Sequence, residues 1–201
     1  MTIPASSLFG DYPAVHEIIP GLWLGELSAA ENERFLSSVG IQSVLSILGR
    51  STFHVPVLNH LFIRHMDGLR FPEEKIASGV TFIHQRVEKD EPVLVHCRVG
   101  VSRSVTMVSA YLMRHEGLNP WEALNFIQQK REIIDPQVNT YTSAIQWRYG
   151  HNRFYCSSCL SEWQYRRYKG PAQGLVGELC DCPTPHLEVM SQRELRELLD
   201  W

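Results

Sequence analysis

Short apolar runs alternate with amphipathic stretches between residues 15 and 148, a pattern typical of an α/β domain. The sequence predicts buried strands at residues 22–24, 44–48, 61–63 and 92–95. The clearest amphipathic stretch follows Pro72, where apolar residues recur at helical spacing: Ile76, Val80, Ile83 and Val87. We therefore expect a central, mostly parallel sheet flanked by helices.

Several helix ends carry recognisable signals. Ser28 followed three residues later by Glu31 predicts a capping box, and Gly40 predicts the end of that helix. The apolar stretch from residue 104 to about residue 115 predicts a second helix. Asn119-Pro120 predicts the start of a third, with Asn as the cap and Pro at the first helical position.

The two ends of the chain differ from this alternating region. Residues 15–148 predict the main domain, residues 1–14 an N-terminal tail, and residues 149–201 a small Cys-rich extension. The extension contains several aromatic residues and a Gly/Pro-containing middle, and a short helix from Ser191 with Glu194 three residues on is expected to close it.

Composition excludes some function classes. The chain has 201 residues, 44% of them apolar and 20% charged, which is ordinary for a globular protein. Its net charge of −3 argues against a general nucleic-acid or membrane-surface binder, because such proteins are basic. No apolar run approaches the ~20 residues that span a bilayer, and no secretory signal is visible. We expect an intracellular protein of the cytoplasm or nucleus.

Four of the five cysteines lie in the extension, spaced as Cys156-x2-Cys159 and Cys180-x-Cys182. An intracellular chain rarely keeps structural disulfides, and two such pairs can bind one tetrahedral Zn²⁺. The spacing therefore predicts a structural zinc, which would fold a segment too small for its own core. His151 or His186 could replace one cysteine, and free or oxidisable thiols are the alternative.

The fifth cysteine stands in a different setting, between a predicted strand and a predicted helix. The segment reads His96-Cys97-Arg98-Val99-Gly100-Val101-Ser102-Arg103-Ser104. In such a loop the backbone N–H groups and the helix N-terminus both face the enclosed space, which suits an anion. Gly100 permits a tight turn, Arg103 can hold two phosphate oxygens, and the positive field favours a Cys97 thiolate. His96 is expected to support that thiolate through its ring hydrogen bonds.

These residues carry a resemblance to a known family. Cys97-x5-Arg103-Ser104, preceded by Val95-His96, resembles the signature of the dual-specificity branch of the protein tyrosine phosphatase superfamily. Ala110-Tyr111-Leu112-Met113 on the following helix is also close to that branch's consensus. The resemblance covers roughly residues 15–148 and implies a protein tyrosine phosphatase-like fold of the dual-specificity type.

The resemblance also implies roles for individual residues. Cys97 would be the nucleophile, Arg103 and the loop residues Arg98, Val99, Gly100, Val101 and Ser102 would bind phosphate, and Ser104 would steady the leaving thiolate. Catalysis would need no cofactor. The family's general acid corresponds to Asp67, in His65-Met66-Asp67-Gly68; Asp90, Glu73 and Glu74 are other carboxyl groups that could transfer protons.

One position departs from the family pattern. The family commonly has an Asn in the strand near residues 44–48, hydrogen-bonded to the phosphate loop, and this chain has Ser46 there. Serine can make one such bond but not the paired ones, so we expect Ser46 to support the loop less rigidly. With Cys97, Arg103 and Asp67 present, an enzyme is expected; the alternative is a phosphoprotein-binding scaffold with a zinc-binding tail and little catalysis.

The same loop bears on the substrate. Phosphoinositide phosphatases of the superfamily have lysines between the Cys and the Arg, whereas this loop has only Arg98 as a basic residue. A phosphoprotein substrate is therefore expected, and no nucleic-acid or membrane partner. The segment before the first strand is too short for the deep phosphotyrosine-recognition loop of the superfamily's tyrosine-only enzymes, so the resemblance implies a shallow pocket that admits phosphoserine and phosphothreonine as well as phosphotyrosine.

Overall fold

The computed structural model describes residues 14–50 and 55–150, together with five short strands between residues 154 and 188. The strands of the main domain are β1 Val15–Ile19, β2 Leu22–Gly25, β3 Ser43–Leu48, β4 Asn59–Arg64 and β5 Val93–His96. The helices are α1 Leu27–Ala30, α2 Glu33–Ser38, α3 Glu73–Val87, α4 Arg103–His115, α5 Pro120–Lys130 and α6 Val138–Tyr149. None of the helices described here is both long and apolar enough to cross a bilayer.

The five strands form one sheet in the order β1-β2-β5-β3-β4. All neighbours pair in parallel except β1, which joins β2 as an antiparallel edge. Strand β5 is central, and its last residue, His96, lies opposite Gly25 of β2 and Ser46 of β3. The predicted α/β class with a mostly parallel sheet is confirmed, and the loop after β5 leaves the middle of the sheet.

The sheet divides the core into two layers, because side chains alternate between its faces. Val93, Val95, Leu45 and Ile47 face the larger layer, which α3, α4, α5 and α6 cover. Val44 and Leu94 face the smaller layer on the side of α1 and α2. Helix α4 is buried along eleven consecutive residues, 103–113, since α3, α5, α6 and the sheet all pack against it. This packing fixes the position of the N-terminus of α4 next to the loop of residues 97–102 that precedes it.

Two local predictions differ from the structure. The helix expected from Ser28 is divided into α1 and α2, and neither has the predicted capping box. Instead Asn32 caps α2, with its side chain accepting a 2.9 Å hydrogen bond from the N–H of Phe35. The N–H of Leu27 meanwhile bonds the carbonyl of Arg98 at 3.3 Å, so a tertiary contact sets where α1 begins. The predicted start of α5 is confirmed: Asn119 caps the helix, Pro120 is at its first position, and Glu122 completes a capping box.

The C-terminal extension is described only in part. Strand β6 Phe154–Cys156 pairs with β7 Glu162–Trp163 and with β10 Leu187–Glu188, and β8 Arg166–Arg167 pairs with β9 Leu175–Val176. The predicted helix from Ser191 and the side chains of the four cysteines lie outside the described residues. The zinc site at Cys156, Cys159, Cys180 and Cys182 therefore stays a prediction.

Candidate active site

Residues 97–102 form a tight loop between β5 and α4, at the centre of the sheet. Gly100 lies in the left-handed region at φ +72°, and a Cβ there would stand 2.6 Å from the carbonyl oxygen of Gly25. Only glycine allows this conformation and this close approach together. The loop is thereby pressed against the end of β2.

The backbone carbonyls of the loop bind groups outside it. The ring Nδ1 of His96 lies 3.1 Å from the carbonyl oxygen of Cys97, and the N–H of Leu27 bonds the carbonyl of Arg98 at 3.3 Å. The N–H of Asp135 bonds the carbonyl of Val101 at 2.8 Å. Three different segments of the chain thus hold the outer side of the loop.

Arg131, at the C-terminal end of α5, holds the two remaining carbonyls. Its Nε donates to the carbonyl of Gly100 at 2.8 Å, and its Nη2 donates to that of Val99 at 3.3 Å. In a trans peptide the C=O and the N–H point in opposite directions. With the carbonyls of residues 97–101 held outward, the N–H groups of residues 98–102 face the inside of the loop, as an anion site requires.

The sulfur of Cys97 lies inside this ring of donors. It accepts hydrogen bonds from the N–H of Gly100 at 3.2 Å and from the hydroxyl of Ser104 at 3.3 Å. Burial of Cys97 raises its pKa and is the largest single influence, but the Arg103 charge and hydrogen bonds from Ser104 and Val99 outweigh it. The pKa of the Cys97 thiol is therefore lowered from its ordinary value of 9.0.

Arg103 begins α4 and is 9% exposed. Its Nη1 donates to the carbonyl of His65 at 3.2 Å, and its Nε lies 3.9 Å from Oδ1 of Asp67. This Nε is buried and has no hydrogen-bond partner among the described residues. The guanidinium is thus anchored at one nitrogen and retains a donor for a bound anion.

Asp67 lies in the loop between β4 and α3, called here the Asp67 loop, and Ser102 joins it to the loop of residues 97–102, which is the predicted phosphate-binding loop. The Ser102 hydroxyl donates to Oδ1 of Asp67 at 2.6 Å. The ring of His65 stacks on that of Phe71 at 3.7 Å and so fixes the two ends of the Asp67 loop against each other. The carboxyl group therefore lies beside Arg103, at the edge of the same site.

Helix α6 fastens the Asp67 loop from the other side. The side chain of Asn139 donates to the carbonyl of Gly68 at 3.2 Å, and that of Thr140 donates to the carbonyl of Leu69 at 3.1 Å. Two further contacts of α6 complete the attachment: Ser143 accepts from the N–H of Phe71, and Gln146 accepts from Arg70.

Ser46 lies under the loop, but it contacts the ring of His96 and not the loop backbone. Its Oγ is 2.5 Å from Nε2 of His96 and 2.8 Å from Nε2 of His60. Burial, partly opposed by the bond to the carbonyl of Cys97, lowers the pKa of His96 to about 4. His96 is therefore neutral at physiological pH.

Sequence reasoning missed two residues of this site, Arg131 and His60. Arg131 is fully buried, and its Nη1 also lies 3.0 Å from Nδ1 of His16. Burial, and after it the Arg131 charge, lowers the pKa of His16 to about 4. In the sequence, Lys130-Arg131 is indistinguishable from a solvated basic helix end, and no pattern around His60, which lies in β4, marks it as part of a site.

Comparison with known proteins agrees with this architecture. Residues 22–149 match the dual specificity phosphatase catalytic domain. MAP kinase phosphatase with leucine-rich repeats protein 3 of Dictyostelium discoideum is 30% identical over 149 residues, which are 72% of this chain and 17% of that protein. Dual specificity protein phosphatase 14 of Mus musculus is 31% identical over 140 residues, which are 69% of this chain and 71% of that protein.

Among solved structures, human DUSP28 superposes with a TM-score of 0.64 at 23% identity, over 72% of this chain and 97% of that one. At that identity the likeness concerns the fold alone. The family match covers most of the chain, and with it the chain belongs to the dual specificity phosphatases, a class of phosphoric monoester hydrolases. The matched region is a small part of the Dictyostelium protein, so that protein's wider activities are not carried over.

Proposed function

We propose that this chain hydrolyses phosphate esters on proteins through a phosphocysteine at Cys97. The observation that carries the proposal is the pair of hydrogen bonds that the Cys97 sulfur accepts, from Gly100 at 3.2 Å and from Ser104 at 3.3 Å. Burial alone would raise the pKa of this thiol, but the Arg103 charge and hydrogen bonds from Ser104 and Val99 outweigh it and lower the pKa, which increases the fraction of nucleophilic thiolate at neutral pH.

In the proposed reaction the Cys97 thiolate attacks phosphorus, so that an S–P bond forms and the P–O bond to the leaving oxygen breaks. Asp67 gives its proton to that oxygen. A water molecule then attacks the phosphocysteine and returns a proton to Asp67, and the products are inorganic phosphate and the Cys97 thiolate. Ser104 assists this second step, because its hydroxyl stabilises the departing thiolate.

Arg103 and the loop backbone bind the transferred phosphoryl group in this proposal. The negative charge of the transition state is spread over three oxygens, and catalysis depends on donors that already face it. The inward N–H groups of Arg98, Val99, Gly100, Val101 and Ser102 provide such donors. The Nε of Arg103, which has no hydrogen-bond partner in the described part of the chain, provides another, next to the carboxyl group of Asp67.

As substrates we propose phosphotyrosine and phosphoserine or phosphothreonine within proteins. Arg98 is the only basic side chain between Cys97 and Arg103, so a polyanionic inositol head group would find little positive charge there. Within the Asp67 loop, Met66 and Leu69 are 59% and 57% exposed. These apolar side chains favour contact with a peptide.

Turnover of p-nitrophenyl phosphate by the full chain tests the nucleophile. We expect activity in reduced wild-type protein and none in folded Cys97→Ser, which should still bind a phosphotyrosine peptide. Activity retained in Cys97→Ser would contradict the role of Cys97. Folded, reduced wild-type protein that binds the peptide without turnover would instead support the scaffold alternative.

Dependence on the leaving group tests Asp67. Phenolate is a poorer leaving group than p-nitrophenolate and needs the proton more. In Asp67→Asn we expect kcat to fall about 100-fold for phenyl phosphate, within the range for general acid catalysis, and much less for p-nitrophenyl phosphate. Equal losses for both substrates would contradict proton donation by Asp67, and Asp90→Asn provides the matched control.

A further inference from the structure

The phosphate-binding loop is connected to the edge of the sheet by a row of three polar side chains on one sheet face. His96 and Ser46 are direct cross-strand partners on β5 and β3. His60 lies on the edge strand β4, opposite Val44 and therefore two residues before the position opposite Ser46. Such diagonal neighbours are within reach of long side chains. The row thus runs from an exposed strand to the residue preceding Cys97.

The direction of each hydrogen bond in this row can be derived. The carbonyl of Cys97 can only accept, so the Nδ1 of His96, 3.1 Å away, must carry the proton. Burial lowers the pKa of His96 to about 4, so the ring is neutral and its Nε2 has a lone pair. That nitrogen must accept the proton of the Ser46 hydroxyl, which lies 2.5 Å away.

The same logic fixes the role of His60. The single proton of the Ser46 hydroxyl is already given to His96, so its oxygen can only accept from the Nε2 of His60, which lies 2.8 Å away. The row therefore has one polarity: the proton on His60 Nε2 faces Ser46, the Ser46 proton faces His96, and the His96 proton faces the Cys97 carbonyl.

We propose that His60 is a positioning residue of the phosphate-binding loop, acting through the Ser46 hydroxyl and the His96 ring on the Cys97–Arg98 peptide. By occupying the acceptor side of Ser46, it leaves the hydroxyl proton only one direction, toward His96. His96 then keeps the tautomer that holds the Cys97 carbonyl outward, and the N–H of Arg98 faces the anion. This proposal rests on the proposed function and adds a residue that positions the phosphate-binding loop for it.

The row also explains how Ser46 can support the loop at the position where the family commonly has an Asn. A hydroxyl with one partner could still rotate, but the Ser46 hydroxyl lies between two imidazole rings, and its orientation is therefore fixed. Hydrogen bonds in such a chain polarise and strengthen one another. His60 supplies the second contact that serine lacks.

Imidazole tautomers distinguish this role from a merely structural one. Long-range proton–nitrogen NMR correlation identifies which ring nitrogen of His96 is protonated, with the signal assigned from its absence in His96→Gln. We expect the Nδ1–H form in wild-type protein. In His60→Phe, which keeps a planar ring without a donor, we expect a mixture of tautomers and a fall in kcat/KM of roughly three- to tenfold, the factor of one hydrogen bond.

His60→Gln is the rescue variant, because its amide NH₂ can donate to Ser46 from a similar position. We expect it to restore both the tautomer and the rate. His84→Phe and His84→Gln are the matched controls; His84 is on α3, stacks on His115 at 3.7 Å and is not part of the row. Both should leave the His96 signal and kcat/KM unchanged.

Several results would overturn the proposal. They are an Nε2–H tautomer of His96 in wild-type protein, a rate loss in His60→Phe with the tautomer unchanged, or a His60→Gln variant as impaired as His60→Phe. Should His60→Phe not fold, Ser46→Ala tests the same connection, because it removes the hydroxyl through which His60 acts; a mixture of His96 tautomers is expected, and an unchanged Nδ1–H form would contradict the proposal. Since the NMR signal does not depend on turnover, an inactive protein with the expected tautomer would contradict the proposed function but not the row.

Discussion

The hydroxyl of Ser102 donates a 2.6 Å hydrogen bond to the carboxyl group of Asp67, 35 residues earlier in the chain. The same hydroxyl oxygen accepts from the N–H of Gln137 at 3.1 Å, just before α6. Ser102 therefore connects three segments that the proposed reaction brings together: the phosphate-binding loop, the Asp67 loop and the start of the helix that holds the Asp67 loop.

Ser102→Ala should weaken proton transfer more than phosphate binding. Without the hydroxyl, Asp67 loses the donor that orients its carboxyl group, and we expect kcat for phenyl phosphate to fall roughly three- to tenfold. Steady-state kinetics with phenyl and p-nitrophenyl phosphate measure this, since the second substrate should be less affected. Ser109→Ala is the control, because the buried Ser109 hydroxyl has no hydrogen-bond partner in the described part of the chain. Equal effects of the two variants would refute the role of Ser102.

Removal of the Arg131 guanidinium should loosen the phosphate-binding loop from outside. Arg131→Met leaves the buried carbonyls of Val99 and Gly100 without their donors, and we expect the free energy of unfolding to fall by about 3–5 kcal/mol. Arg131→Lys should not restore the loop, because an ammonium lacks the planar fork that holds both carbonyls.

Urea unfolding and the inhibition constant of inorganic phosphate measure both effects. We expect the inhibition constant to rise in Arg131→Met and Arg131→Lys but not in Lys130→Met, where the neighbouring side chain is exposed. An unchanged inhibition constant in Arg131→Met would show that the loop keeps its shape without this side chain.

Alanine substitutions at two glycines with nearly equal φ distinguish the cost of backbone strain from the cost of a steric clash. Gly100 and Gly117 have φ of +72° and +71°, but a Cβ on Gly100 would meet the backbone of Gly25 at 2.6 Å, while a Cβ on Gly117 meets nothing within 4 Å. Gly117→Ala should cost about 1–2 kcal/mol of stability and leave kcat/KM unchanged. Gly100→Ala should cost more and reduce kcat/KM at least tenfold. Comparable stability and activity in the two variants would contradict the close approach.

The neutral, fully buried His96 predicts a loss of stability in acid. Its pKa is lowered by burial to about 4, against 6.5 in the unfolded chain, so between these values the unfolded state binds more protons. Its contribution is complete above pH 6.5 and is lost as the pH falls toward 4, by an amount on the order of 3 kcal/mol.

Urea unfolding at several pH values between 4.5 and 7.5 measures this slope. His96→Gln removes the titrating group, so its unfolding free energy should depend less on pH than that of the wild type. His16, whose pKa is also lowered to about 4, contributes in the same window and remains in both proteins. Parallel curves for the two proteins would mean that His96 does not titrate as expected.

Much of the fold could be predicted from the sequence, because strands and helices leave local periodicities. The strands at residues 44–48 and 92–95 and the helix after Pro72 all lie close to their expected positions. The split between α1 and α2 could not be predicted, since the bond from Leu27 to Arg98 joins residues distant in sequence. The edge strand β1, with its antiparallel pairing, was likewise not expected as a separate element.

Some residues of the candidate site could likewise be predicted from the sequence, and others could not. Cys97, Arg103 and Ser104 come from one continuous segment, so their proximity follows from a single strand–loop–helix turn. Arg131 and His60 reach the loop only because α5 and β4 pack where they do. A lone Arg at a helix end and a lone His in a strand give no sequence signal that separates a buried support from a surface residue, and only the tertiary structure assigns them.

The attachment of the Asp67 loop to α6 has a consequence for how substrates are selected. Four α6 side chains hold this loop, so in the proposed reaction Asp67 would not have to reach each bound substrate by a hinged closure. An active site that is already assembled before the substrate binds cannot use an induced rearrangement to reject unsuitable phosphoproteins. If the proposed reaction is right, discrimination among substrates would depend on the fixed shape of the rim, and opening of the Asp67 loop would not limit the rate of turnover.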